Sequence, residues 1–222
     1  MAMDEAGQRI AEQPLLDRRR ALEHFAAAHF EARTQLHLSP QTDDAREARR
    51  WLQDPAGALD GVIAKLADAP YAPGERTAMV KVKRLRTADC VVGGFRWSKH
   101  GGTIGSLLLG LYGADGGLHH VGFCSALNAK VRKEADARVI PLRGGAGFSG
   151  NGPSGSSRWR KEGSGEWEAV APVVVVEVEY DHFTQGRFRH GTRFLRWRPD
   201  KEPRQCRLSQ VRKEGKGALE ML

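Results

Sequence analysis

The chain has 222 residues, 40% hydrophobic and 28% charged, and contains no run of 18 apolar residues that would cross a membrane. Its opening, MAMDEAGQRI, lacks the basic start and apolar core of a secretory signal. The three distant cysteines (Cys90, Cys124, Cys206) form no CxxC pair, which favours neither a disulfide frame nor a zinc site and fits buried thiols in a reducing cytoplasm. Residues 1–85 hold 13 Lys+Arg and 13 Asp+Glu whereas residues 86–222 hold 22 and 14, so the whole excess of +8 lies in the second part. A basic face there suits a polyanion such as nucleic acid; a generic basic surface is the alternative.

In chain order, PLLDRRRALEHFAAAHF predicts a helix opening near Pro14, with Leu15, Leu22, Phe25, Ala26 and His29 on one stripe. TQLHLSP alternates and ends at a proline, which predicts a short strand. TDDAREARRWLQ predicts a second helix, capped by Thr42 or Asp43. GALDGVIAKL is a turn feeding a strand, and TAMVKVKRL a second strand that places Lys81 and Lys83 on the same side. The first part is therefore mixed helix and strand.

From Ala88 the pattern changes. DCVVGGFRWS reads as a strand whose paired glycines predict a bulge or sharp bend. IGSLLLGLYGADGGLHHVGFC reads as two strands joined at Asp115-Gly116-Gly117, with His119 and His120 as surface residues. SALNAKVRKEADARVIPL predicts one helix presenting Leu127, Val131, Ala135 and Val139, and EAVAPVVVVEVEYDHF and HGTRFLRWR two further strands. Five strands with a helix between the third and fourth is the order of an OB-fold, although another small barrel reads similarly.

Between helix and fourth strand lies GGAGFSGNGPSGSSRWRKEGSGE. Its GxGxxG, Gly145 to Gly150, has neither a strand leading in nor a helix leading out, so it is read as a long flexible loop rather than a nucleotide fingerprint. Arg158, Arg160 and Lys161 at its edge are candidate contacts to a nucleic-acid backbone. GRFRHGTRFLRWR alternates arginines with aromatics. This predicts Leu195 and Trp197 packed on one face, and Arg196 and Arg198 on the other, where they would grip phosphates without reading bases.

Two lysines on an edge strand are an ordinary guard against aggregation. Here DGVIAK (Asp60 to Lys65) followed by MVKVK (Met79 to Lys83) resembles the fourth and fifth motifs of covalent nucleotidyltransferases. Downstream, Arg198, Asp200 and Lys201 in FLRWRPDKEP resemble the sixth. The phrases PYAPGERTAMVKVKRLRTADCVVGGFR and RFRHGTRFLRWRPDKEPRQC resemble the ATP-dependent DNA ligases, most of all the bacterial end-joining type, across essentially the whole chain.

The resemblance implies an α+β remnant of an adenylation domain over residues 1–85 and an OB-fold DNA-binding domain over residues 86–222, with a hinge near Arg84 to Arg86. It implies ATP as substrate and Mg2+, with Lys65, Lys81 and Lys83 binding the nucleotide and Asp60 holding the metal. Arg198, Asp200 and Lys201 would swing over the pocket and orient the leaving pyrophosphate, so that cations from two folded pieces meet one triphosphate. Nicked double-stranded DNA is the implied partner. None of the ten lysines is followed by x-D-G, the motif that carries the family's nucleophile. The chain therefore reads as the C-terminal portion of a ligase, unable to adenylate itself alone: a gene fragment, an engineered piece, or a split subunit whose missing motifs a separate polypeptide would carry. The alternative is a sequence-tolerant duplex-binding module without chemistry; RNA ligase or capping chemistry shares the lysine motifs.

Overall fold

The computed structural model describes residues 2–30, 36–53, 59, 61–99, 101–153 and 166–211. The chain divides into two compact units, Met1–Arg84 and Leu85–Glu214.

In the first unit, α1 (Leu15–His29) begins directly after Pro14, whose missing N–H costs nothing where a helix N-terminus leaves donors unpaired anyway. Its buried positions are Ala26 and, unexpectedly, Arg18. The Arg18 guanidinium donates to the carbonyls of Gln13 (3.0 Å) and Ala69 (3.3 Å) and lies over the Tyr71 ring, so a cation with satisfied donors anchors the helix. His29, predicted on the apolar stripe, is exposed and pairs with Glu5.

Helix α2 (Ala45–Gln53) is capped by Asp44, one residue beyond the predicted pair: its Oδ1 accepts the Arg46 N–H at 2.7 Å, while the Asp44 N–H donates to Thr42 Oγ1. Residues 36–40 do not form the predicted strand, and Leu36 there is 45% exposed. Alternation without a neighbouring strand to receive its hydrogen bonds does not make a sheet.

Strands β1 (Gly61–Lys65) and β2 (Met79–Lys83) form an antiparallel ribbon in which Gly61 faces Lys83, Ile63 faces Lys81 and Lys65 faces Met79. A side chain at Gly61 would run into the Val82 carbonyl oxygen, so the ribbon's entry needs glycine there. Helix α2 packs against β1.

The second unit is a closed barrel. Strands β3 (Arg86–Trp97), β4 (Ile104–Tyr112), β5 (Leu118–Cys124), β7 (Val175–Tyr180) and β10 (Arg193–Trp197) run in the antiparallel order β10-β7-β3-β4-β5, with β6 (Glu168–Ala169) added to β3; β8 (Phe183–Thr184) and β9 (Arg187–Phe188) pair as a short ribbon of their own. The ring closes where Thr192 meets Cys124 in parallel and donates its N–H to the Phe123 carbonyl at 3.1 Å. With α3 (Ala129–Val139) between the third and fourth barrel strands, this is the OB topology. Phe95, Leu107, Leu109, Val121 and Val176 fill the interior, joined by Ala135 and Val139 of the helix.

Helix α3 is shorter than the apolar spacing predicts. Asn128 caps it by accepting the Val131 N–H (2.9 Å), which leaves Leu127 buried ahead of the helix, and Pro141 turns its end into a 3-10 segment over Ile140–Leu142. The predicted strand through EAVAPVVVVEVEY is likewise split into β6 and β7 at Ala171-Pro172.

The paired glycines of β3 do mark a register shift, between Val92 and Gly94. Their reason is two rings: a Cβ on Gly93 would meet Phe148 and one on Gly94 would meet Trp167, each at 2.6 Å. Gly116 takes a left-handed conformation (φ 76°) in the β4–β5 hairpin, as Asp-Gly-Gly predicts.

The described part of the glycine-rich loop, up to Pro153, is not the free segment its composition suggests. Gly144 and Gly147 donate to the Ala169 and Val170 carbonyls, Gly150 to Leu118, and His120 to Asn151. Gly145 is required because a side chain there would collide with the Ala171 backbone. The GxGxxG spacing thus serves wall packing. Arg158, Arg160 and Lys161 lie outside the described residues.

Candidate functional site

In an antiparallel ribbon, directly opposed residues share a face and successive residues alternate. The β1–β2 register therefore gathers Gly61, Ile63, Lys65, Met79, Lys81 and Lys83 on one face and Val62, Ala64, Val80 and Val82 on the other. Lys65, Lys81 and Lys83 are all exposed. Two residues along a strand are about 7 Å apart, a spacing that lets neighbouring ammonium groups meet different oxygens of one polyphosphate. Among the described residues no carboxylate pairs with Lys65 or Lys81. Asp60, the predicted metal ligand, lies outside the described residues, and among those described no group of three His, Cys, Asp or Glu gathers to hold a cation.

The arginines of the barrel are arranged differently. Strand β10 carries a register shift between Phe194 and Arg196. The extra residue turns both Phe194 and Trp197 inward, their rings 5.1 Å apart, and leaves Leu195 36% exposed. The predicted pairing of Leu195 with Trp197 in the core is thus corrected by a bulge. Trp197 Nε1 donates to Glu134 of α3 at 2.8 Å, and Arg138 lies over its ring.

Each arginine on the opposite face meets an acid. Arg193 grips Glu179 with two 2.8 Å bonds, and Arg196 Nε donates to Glu177 at 2.6 Å. These partners hold both glutamates below the usual carboxylate range. Arg196 is brought to the predicted exposed face, but already bonded to a carboxylate.

Arg198 is the most enclosed of the set. Its Nη1 donates to Asp89 Oδ1 at 2.7 Å, its Nε and Nη2 fork onto Asp200 at 3.0 and 2.9 Å, and Glu177 lies 3.8 Å away. The hydrogen bond to Asp200 raises the Arg198 pKa further and lowers that of Asp200 to about 2. The Lys201 N–H donates to the Arg198 carbonyl, and the Lys201 ammonium stands 3.8 Å from Asp89 Oδ2. Arg198, Asp200 and Lys201 are therefore brought together, with Asp89 at their centre. Sequence reasoning missed Asp89; the available signal is an acid interrupting the apolar run ADCVV.

It also placed both histidines on the surface. Adjacent strand residues point to opposite sides, so one of the pair must face inward. His119 faces out, its Nε2 against Asp115 and its Nδ1 accepting the Asn151 N–H. His120 is 7% exposed, edge-on to Phe148, and neither ring nitrogen makes a well-formed hydrogen bond; the Gly122 backbone is only a poorly aligned partner. Burial, with Arg187 and Arg96 nearby, lowers its pKa to about 4, so the ring is neutral at neutral pH. Beside it lies a cavity of about 370 Å³ bordered by Asp115, His119, Asn151 and Arg187.

The three cysteines are buried, as predicted; desolvation pushes the Cys206 thiol up to about 12 and raises Cys90 and Cys124.

Residues 4–83 match the family described as ATP dependent DNA ligase domain, and residues 100–201 the ATP dependent DNA ligase C terminal region. DNA ligase C1 of Mycolicibacterium smegmatis is 42% identical over 208 residues, covering 91% of this chain and 58% of its own length. DNA ligase C of Mycobacterium tuberculosis is 39% identical over 214 residues, covering 90% and 60%. Among solved structures, the ligase domain of M. tuberculosis LigD is 30% identical, covers 89% of this chain and 61% of that one, and superposes with a TM-score of 0.47. The chain spans about 60% of the length of these two curated relatives.

Proposed function

Because this chain belongs to the ATP-dependent DNA ligase family, we propose that it supplies the phosphate-handling and DNA-gripping part of an enzyme that seals nicks or breaks in duplex DNA, of the end-joining type, in the cytoplasm. Residues 1–85 serve as the remaining part of an adenylation domain and residues 86–222 as the DNA-binding barrel.

The observation that carries this reading is the ribbon register, which sets three lysines on one exposed face. Sealing proceeds by attack of a lysine on the α-phosphate of ATP, transfer of AMP to a 5′-phosphate, and displacement of AMP by a 3′-hydroxyl. Negative charge develops on phosphoryl oxygens in every step, so fixed cations lower each barrier. Lys81 and Lys83 steady the α-phosphate, each charge-assisted bond contributing on the order of 1.5–3 kcal/mol; Lys65 acts on the same face. Arg198, Asp200 and Lys201 form the unit that orients the departing pyrophosphate. The described residues show no cation site, so no step is assigned to the Mg2+ that the family's chemistry implies.

No lysine of this chain stands in a K-x-D-G motif. The isolated chain, incubated with labelled ATP and Mg2+, therefore acquires no AMP. Mixing it with a polypeptide that carries K-x-D-G restores adenylation and nick sealing, and Lys81→Ala abolishes both. An acid-stable AMP adduct on the isolated chain refutes the reading. A second reading, a duplex clamp without chemistry, is favoured by the +8 charge confined to residues 86–222. It expects affinity to fall steeply with salt and Lys81→Ala to be silent. Nicks built from DNA or RNA strands distinguish the partner.

A further inference from the structure

The three carboxylates around Arg198 divide the work of its motif in a way that the motif alone does not show. Asp89 on β3 and Glu177 on β7 are directly paired across the ladder, and Arg196 faces Glu177 from the next strand. Like charges directly opposite one another destabilise a sheet. The Arg198 guanidinium offsets that repulsion, with bonds to Asp89 and Asp200 and Glu177 close by. All three of its nitrogens already face a carboxylate, and the side chain is only 17% exposed. A guanidinium so engaged has little left for a phosphate.

Lys201 is the opposite case. Among the described residues its one carboxylate contact is Asp89 Oδ2 at 3.8 Å, too long for a hydrogen bond, and its side chain is 29% exposed. Its three ammonium donors are tethered by charge without being consumed.

Asp89 is itself immobilised. Its N–H donates to Gln210 Oε1 at 3.2 Å, and its carbonyl accepts from Gln210 Nε2 at 3.3 Å. One oxygen thus locks Arg198 and the other faces Lys201, from a strand clamped on both backbone groups.

We propose that Asp89 is a positioning residue for the reaction: it holds Arg198 as a fixed strut and poises Lys201 as the cation that this end of the barrel offers to phosphate. This rests on the ligase reading above.

The test measures adenylate formation by the full chain mixed with a polypeptide carrying K-x-D-G, at varied ATP. Asp89→Asn, which keeps size but removes charge, lowers the rate about tenfold or more, as loss of one charge-assisted contact implies. Asp89→Glu recovers part of it, and duplex binding stays within about twofold. The deciding measurement is the double-mutant cycle. If Asp89 acts through Lys201, Asp89→Asn costs little once Lys201→Ala is present. An equal cost in both backgrounds, or an undiminished rate for Asp89→Asn alone, overturns the assignment while leaving the ligase reading intact. No adenylate when the wild-type chain is mixed with the K-x-D-G polypeptide overturns the ligase reading itself, and the assignment with it.

Discussion

The β1–β2 ribbon and the β7–β10 edge of the barrel both present rows of cations spaced by strand geometry, yet the two rows are in different electrostatic states. Lys65 and Lys81 have no carboxylate partner among the described residues, because the residues facing them across the ribbon are Met79 and Ile63. Arg193 and Arg196 face Glu179 and Glu177, and each is bonded to the acid opposite. The neighbouring strand, not the basic residue, decides whether a cation is available to a ligand. Exposed pairs of this kind add little stability, so their main consequence is to lower the positive field of the β10 face.

The largest expected effect breaks the ribbon side of this comparison. In the reconstituted enzyme, Lys81→Ala reduces adenylate formation by at least about 100-fold, the usual scale for removing a preorganised donor to developing charge; steady-state rates check it.

Stability sharpens the contrast next. Leu109→Ala, at a fully buried barrel position, destabilises by about 2–5 kcal/mol. Val80→Ala, 63% exposed on the ribbon, changes stability by less than about 0.5 kcal/mol. Denaturant unfolding reads both.

Acid sensitivity comes third. The His120 pKa is lowered from 6.5 to about 4 in the folded protein, so the unfolded chain binds its proton first as pH falls. Folding therefore loses stability between about pH 6.5 and 4, by on the order of 2–3 kcal/mol. His120→Leu flattens that part of the stability profile, whereas an unchanged slope contradicts the assignment. Asp200, lowered to about 2, acts with the same sign at lower pH: its stabilisation is present above its ordinary value near 3.8 and lost as pH falls through 2.

The smallest effect tests whether pairing silences the barrel arginines. Arg196→Ala reduces the salt slope of duplex binding by less than about one, the change expected for losing a full phosphate contact. Glu177→Gln frees Arg196 and tightens binding about two- to threefold at low salt. A full unit lost with Arg196→Ala means the pair opens on DNA.

Much of the barrel was legible because its signals are local. Asp115-Gly116-Gly117 demands a tight hairpin, and the apolar runs on either side can only be strands in a core. The mis-set boundaries have local causes too: Asn128 and Asp44 compete as caps within a residue or two of other candidates, and Pro141 and Pro172 interrupt longer patterns. What escaped depended on partners far away in the chain. The residues 36–40 alternate like a strand but find no ladder. Leu195 is extruded by a bulge that only pairing with β7 reveals. Phe148, from a glycine-rich loop, seats against Gly93 and is the reason that glycine is there. Asp89 looks like one acid in an apolar strand until the chain end brings Arg198, Lys201 and Gln210 onto it.

The sequence by itself determined the inventory and its spacing: which cations exist, which of them share a side of a strand, and which motifs they form, because side-chain alternation is a property of the local backbone. Only the tertiary structure decided which of those cations are free, which are tied and which residue does the tying. That follows from which strand lies alongside, and sheet closure between segments some 70 to 110 residues apart settles it.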